Sequence, residues 1–106
     1  MKINVTLPDE TVQELTAKPG GSLMDAMRAA GLPVRAECGG AMACATCHVA
    51  IDPAWMGKVG KADNEELDLL DMSDYRGETS RLSCQVKLTD ALDGLRVTLQ
   101  LDAFEG

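Results

Sequence analysis

Residues 38–48 read Cys38-Gly39-Gly40-Ala41-Met42-Ala43-Cys44-Ala45-Thr46-Cys47-His48, so three of the chain's four cysteines lie in one short run. The last five letters, CATCH, match the C-x-x-C-H pattern that attaches haem covalently, and Cys44 and Cys47 alone would suit a thiol redox pair or a zinc knuckle. The wider spacing discriminates among these. The cysteines fall as C-x5-C-x2-C, and Cys84 follows after 36 further residues. Zinc ribbons use two paired knuckles, each gripping the ion from one side, and only one is present here. Three thiols on one loop with a fourth from a distant segment suit a compact inorganic core, which the loop wraps and the remote thiolate closes.

The spacers within the run support that reading. Gly39, Gly40, Ala41, Ala43, Ala45 and Thr46 are small, which lets backbone N–H groups approach sulfur closely. An iron–sulfur core held by four thiolates stays anionic, and such N–H groups stabilise its charge and tune its potential. Met42 is the long side chain among them, suited to covering the core or meeting a partner. His48 is the only histidine of the chain. That excludes a Rieske centre and a Cys2His2 zinc site, each of which needs two. We expect His48 to be a packed imidazole, hydrogen-bonded to backbone, rather than a ligand.

Composition narrows the function classes. The 106 residues carry 10 Lys and Arg against 17 Asp and Glu, a net charge of -7. This disfavours a phosphate backbone and favours a partner with a basic face. The first residues, MKINVTLPDE, lack the apolar run of a signal peptide, and no stretch approaches the roughly 20 apolar residues of a membrane span. The expectation is a single domain over residues 1–106, monomeric and cytoplasmic, where thiols stay reduced and serve as ligands.

The remaining pattern predicts short elements of both kinds. Ile3, Val5 and Leu7 alternate with polar residues as a strand, Pro8-Asp9-Glu10 turns the chain, and Thr11–Lys18 returns as the second strand of a hairpin. Ser22 with Asp25 opens a helix whose stripe is Leu23, Ala26, Met27 and Ala30, ending at Gly31, with Met24 and Met27 as core rather than ligands. Cys47–Ile51 reads as a strand. Asp52-Pro53 starts a short helix carrying Trp55 as a packing anchor, and a longer helix covers Asp63–Met72. Gln85–Leu88 is expected as a strand, Asp93-Gly94 as a turn, and Leu95–Leu101 as the last strand. The fold class is α+β, with helices on one mixed sheet.

The charge is concentrated. Asp63, Glu65, Glu66, Asp68, Asp71, Asp74 and Glu78 face Arg76 alone over residues 63–78, a local balance of -6. At helical spacing Asn64, Asp68 and Asp71 share an arc, with Glu65 at its edge, opposite Leu67 and Leu70.

The stretch CGGAMACATCH, the run SRLSCQV around Cys84 and the acidic NEELDLLDM together resemble the [2Fe-2S] ferredoxins of the adrenodoxin and putidaredoxin type, over nearly the whole chain. The resemblance implies a β-grasp (ubiquitin-like) ferredoxin fold and a one-electron shuttle. Carried over, Cys38 and Cys44 would hold one iron and Cys47 and Cys84 the other, with Gly39, Gly40, Ala43, Ala45, Thr46 and His48 supporting the loop. The implied partners are an FAD-containing ferredoxin reductase and a cytochrome P450, met through Glu65, Glu66, Asp68, Asp71 and Met42. Asn64 departs from the family by replacing an acid. Arg81 is expected to be an internal tether, and Phe104 to lie in a frayed tail. The alternatives are a ferredoxin for iron–sulfur cluster assembly, a zinc-binding interaction module, and a thiol oxidoreductase using Cys44 and Cys47.

Overall fold

The computed structural model describes residues 1–32, 34, 47–60, 62–73 and 75–103. Cys38, Cys44, Gly39, Gly40, Met42, Ala43, Ala45, Thr46, Asp74 and Phe104 lie outside them. The alternation at the N-terminus becomes strand β1 (Lys2–Thr6), with Ile3 and Val5 fully buried. The chain turns through Leu7–Thr11, where the Asp9 carboxylate accepts the Thr11 N–H at 2.9 Å, and returns as β2 (Val12–Thr16). Helix α1 (Leu23–Ala29) starts where the Ser22 hydroxyl accepts the Asp25 N–H at 3.1 Å, and it buries Leu23, Met24 and Met27.

Strand β3 (His48–Ile51) follows, then a 3-10 turn at Pro53–Trp55 that runs into α2 (Met56–Val59). Asp52 caps that turn by accepting the Ala54 N–H at 3.0 Å. Helix α3 (Asn64–Leu70) is capped by Asp63, whose carboxylate accepts the Glu66 N–H at 2.9 Å. Strands β4 (Ser80–Leu82) and β5 (Leu95–Leu99) complete a five-stranded sheet of order β2-β1-β5-β3-β4. Only the β1–β5 pairing is parallel. Ile3 opposite Leu95 and Val5 opposite Val97 face the core with Val49, Ile51 and Leu99, while Thr6, Ala50 and Thr98 lie on the other face.

Two expectations about the C-terminal half change. Gln85–Leu88 is not a strand. Its alternation is real, since Val86 and Leu88 are buried between exposed neighbours, but among the described residues it bonds only to the turn at residues 20–23, through an isolated bridge from Lys87 to Ser22, and not to a strand. The strand there is Ser80–Leu82, which is buried throughout and so shows no alternation. The last strand also stops at Leu99. Leu101 begins a 3-10 turn ending at Ala103 and is exposed.

The Asp93-Gly94 turn forms as expected, with Gly94 at φ +91, a region that favours glycine. A Cβ there would lie 3.5 Å from the Trp55 ring, so the tryptophan anchors α2 against this turn. Among the described residues no helix is long and apolar enough to cross a membrane.

Candidate metal centre

Two of the expected ligands lie within the described residues, and the fold brings them together. Cys47 precedes β3 and is fully buried, while Cys84 sits half-buried in the 3-10 turn after β4. Pairing of β3 with β4 sets His48 opposite Leu82, which places the two cysteines at the same end of the ladder. Ser83 fixes the join. Its backbone N–H and its hydroxyl both donate to the Cys47 carbonyl, at 3.0 and 2.8 Å.

The two thiols are hydrogen-bond partners. The Cys47 S–H and the Gln85 amide, 3.5 Å from Cys84 Sγ, hold the Cys84 thiol below its ordinary range against the opposing effect of burial. The neighbouring Cys84 sulfur and burial push the Cys47 thiol up. Two thiols brought to one end of the β3–β4 ladder, one buried and one half-buried, form a donor set for a thiophilic cation, which displaces their protons and favours both thiolates. The residues present therefore fit an iron–sulfur cluster.

His48 is fully buried beside this pair. Its Nε2 lies 2.6 Å from Ser80 Oγ and its Nδ1 3.2 Å from Ser73 Oγ. Those hydroxyls accept the Gly77 N–H (2.8 Å) and the Tyr75 N–H (3.1 Å). The imidazole is packed as expected, and serine hydroxyls of the 73–80 segment engage both ring nitrogens. Nothing in the local pattern marks Ser73, Ser80 or Ser83, because their partners are 25 to 36 residues away in sequence.

Arg81 is the tether it was expected to be. Its Nε and Nη2 donate to Glu66 Oε2 and Oε1 at 2.6 and 3.1 Å, and its Nη1 donates to the Gly60 carbonyl at 2.8 Å. Glu66 Oε2 also accepts the Leu82 N–H at 2.9 Å. This corrects one docking assignment. Glu66 is 1% exposed and its carboxylate is consumed by the clamp that ties α2, α3 and β4, so it cannot meet a partner. The signal was its spacing, since Glu66 lies one turn before Leu70 on the inward arc of α3.

The other acids stand differently. Glu65, Asp68 and Asp71 are exposed. Asp71, the C-cap of α3, pairs through Oδ1 with Arg76 Nη1. Just beyond it Met72 and Tyr75 are exposed apolar side chains.

Comparison with known proteins decides among the readings of the cysteines. The model of the 2Fe-2S iron-sulfur cluster binding domain matches residues 7–89. The chain belongs to the [2Fe-2S] ferredoxins. It is 43% identical to the 2Fe-2S ferredoxin CtmE of Castellaniella defragrans, over 90% of this chain and 92% of that protein. It is 43% identical to rhodocoxin of Rhodococcus erythropolis, over 87% and 88%. Among solved structures, the ferredoxin from Rhodopseudomonas palustris HaA2 superimposes with a TM-score of 0.90 at 40% identity, covering 97% of this chain and 99% of that one. The ferredoxin chain of the covalent putidaredoxin reductase–putidaredoxin complex gives 0.87 at 37%, covering 93% and 97%.

The ferredoxin is of the adrenodoxin and putidaredoxin type, its mixed sheet is that of the β-grasp, and it carries one [2Fe-2S] cluster. It is an electron carrier and not an enzyme, which sets aside the zinc module and the thiol oxidoreductase. The cluster supplies one-electron redox chemistry. Around Cys47 and Cys84 the chain is braced by Ser83 on the Cys47 carbonyl, by buried His48 next to Cys47 and by the Glu66–Arg81 clamp on β4.

Proposed function

We propose that this ferredoxin carries single electrons from an FAD-containing ferredoxin reductase to a cytochrome P450 in the cytoplasm, as a monomer of one domain. Cys38, Cys44, Cys47 and Cys84 are its ligands, supported by Gly39, Gly40, Ala43, Ala45, Thr46 and His48. The observation that carries the ligand assignment is the placing of Cys47 and Cys84, 37 positions apart in sequence, at one end of the β3–β4 ladder, joined through Ser83. Similarity to the ferredoxin in the putidaredoxin reductase complex supports the reductase. The P450 rests on Gly39-Gly40 and the Asp52-Pro53-Ala54-Trp55 run, which resemble the P450-coupled branch more than the cluster-assembly one.

Docking falls to Glu65, Asp68 and Asp71, with Met42 contributing from the loop. A basic partner is steered to the exposed side of α3, docks weakly and leaves, so association is fast and salt-sensitive. The test is reconstitution with a reductase of this class. Asp68→Asn with Asp71→Asn lowers the rate of ferredoxin reduction at low salt and leaves the visible spectrum unchanged; unaltered steady-state kinetics refute the docking assignment. The Cys84→Ser and Cys47→Ser variants lose or shift the reduced-state paramagnetic signal, and a native signal in either refutes that ligand.

A further inference from the structure

Arg76 is the only cation in the acidic run of residues 63–78, and it is spent inside that run. Its Nη1 pairs with Asp71 Oδ1, while exposed Asp68, one helical turn earlier, has no ion pair among the described residues. The helix end explains the pairing. Asp71 is the C-cap of α3, where the helix dipole disfavours a carboxylate, and the last turn of α3 has no basic residue of its own. A guanidinium reaching back from Arg76 supplies the missing positive charge. Both side chains are half-exposed, so the pair is weak enough to open.

We propose that Arg76 is an internal counter-ion that masks Asp71 and thereby sets how strongly α3 attracts a basic partner. A partner meets Asp68 bare, but it gains Asp71 only by displacing a guanidinium, an exchange of one cation for another with little net attraction. Arg76 is thus a specificity-determining residue. It selects partners whose cations lie opposite Asp68, and it tolerates those opposite Asp71 only where they compete with an arginine. The proposal rests on the docking reading above, and its test separates the two.

The test uses the holoprotein, reduced and freed of reductant, mixed anaerobically with ferric cytochrome c as a basic haem probe. One electron passes from the reduced cluster to the ferric haem, giving oxidised cluster and ferrous haem with no proton transferred. Second-order rates are measured against ionic strength. Asp68→Asn is expected to slow the reaction and flatten its salt dependence; no change there overturns the docking reading itself.

Given that slowing, Arg76→Gln is expected to raise the low-salt rate roughly two- to fivefold, as release of a surface ion pair allows. Arg96→Gln removes the same charge from an exposed arginine on β5 that has no ion pair among the described residues, and is expected to raise it less. Arg76→Lys keeps the wild-type rate. The deciding comparison is Asp71→Asn, expected to cost more in the Arg76→Gln background than alone. An equal cost in both backgrounds overturns the masking of Asp71, because simple loss of net charge is additive. Unchanged visible spectra and melting curves confirm that each variant is folded and loaded.

Discussion

Replacing Arg81 with methionine removes the guanidinium but keeps the length of the side chain. Glu66 then remains buried with one backbone N–H from Leu82 and no opposing charge, while the Gly60 carbonyl loses its donor. Breaking a buried ion pair from one side costs about 3–5 kcal/mol. For 106 residues the unfolding entropy is about 0.22 kcal/mol/K, from roughly 2.1 cal/mol/K per residue, so the midpoint falls by about 14–22 °C. Unfolding that releases the cluster is irreversible, so circular dichroism and visible bleaching are followed at one fixed heating rate for both proteins. A second variant, Glu66→Leu with Arg81→Met, removes both charges and recovers part of the loss, since an apolar pair of similar volume is no worse than a buried ion pair. It stays below wild type because the Gly60 carbonyl and the Leu82 N–H are still unpaired. A shift under about 5 °C for Arg81→Met refutes the clamp. A double variant no more stable than the single one refutes its explanation by a stranded carboxylate.

Other consequences are nearer the site. Glu66→Gln leaves the salt dependence of partner kinetics at the wild-type slope while lowering the melting midpoint, whereas Asp68→Asn does the reverse; a changed slope for Glu66→Gln would restore it to the docking face. His48→Leu takes the imidazole away from the Ser80 and Ser73 hydroxyls and costs about 1–3 kcal/mol, read as faster bleaching on heating. His48→Gln keeps a donor and an acceptor and loses less; equal losses would show that packing alone matters. Ser83→Ala removes the hydroxyl bond to the Cys47 carbonyl but not the backbone one, so it costs about 1 kcal/mol and leaves the spectrum in place. Gly94→Ala adds strain at positive φ and sets a methyl in contact with the Trp55 ring, for a loss of about 1–2 kcal/mol and a change in tryptophan fluorescence.

Local periodicity reveals β1, α1 with its Ser22 cap, and the inward face of β5, because in each the alternation or stripe largely coincides with burial, whereas β2 buries only Leu15 and is marked by the turn before it. It misleads at Gln85–Leu88, where alternation buries Val86 and Leu88 without any strand beside them. It is silent at Ser80–Leu82. That strand is covered on both faces, and its polar members are buried by bonds to His48 and Glu66 from elsewhere in the chain. The cysteine spacing marks the site, since ligand count and spacing are properties of sequence. Glu66 shows the limit. On composition it belongs to the acidic run; its spacing from Leu70 sets it on the inward arc of α3, but the guanidinium that satisfies it there lies 15 residues away.

The position of β5 bears on the order of events during synthesis. It is the last strand made and the central one, paired on one side with β1 and on the other with β3. Until residues 95–99 leave the ribosome, the N-terminal hairpin and the β3–β4 pair holding Cys47 and Cys84 share no ladder. Nascent chains thus present two half-sheets, and a closed seat for iron and sulfide requires residues 95–99. A ribosome stalled before residue 95 would hold both described cysteines already synthesised, on a sheet that cannot yet close around what they bind.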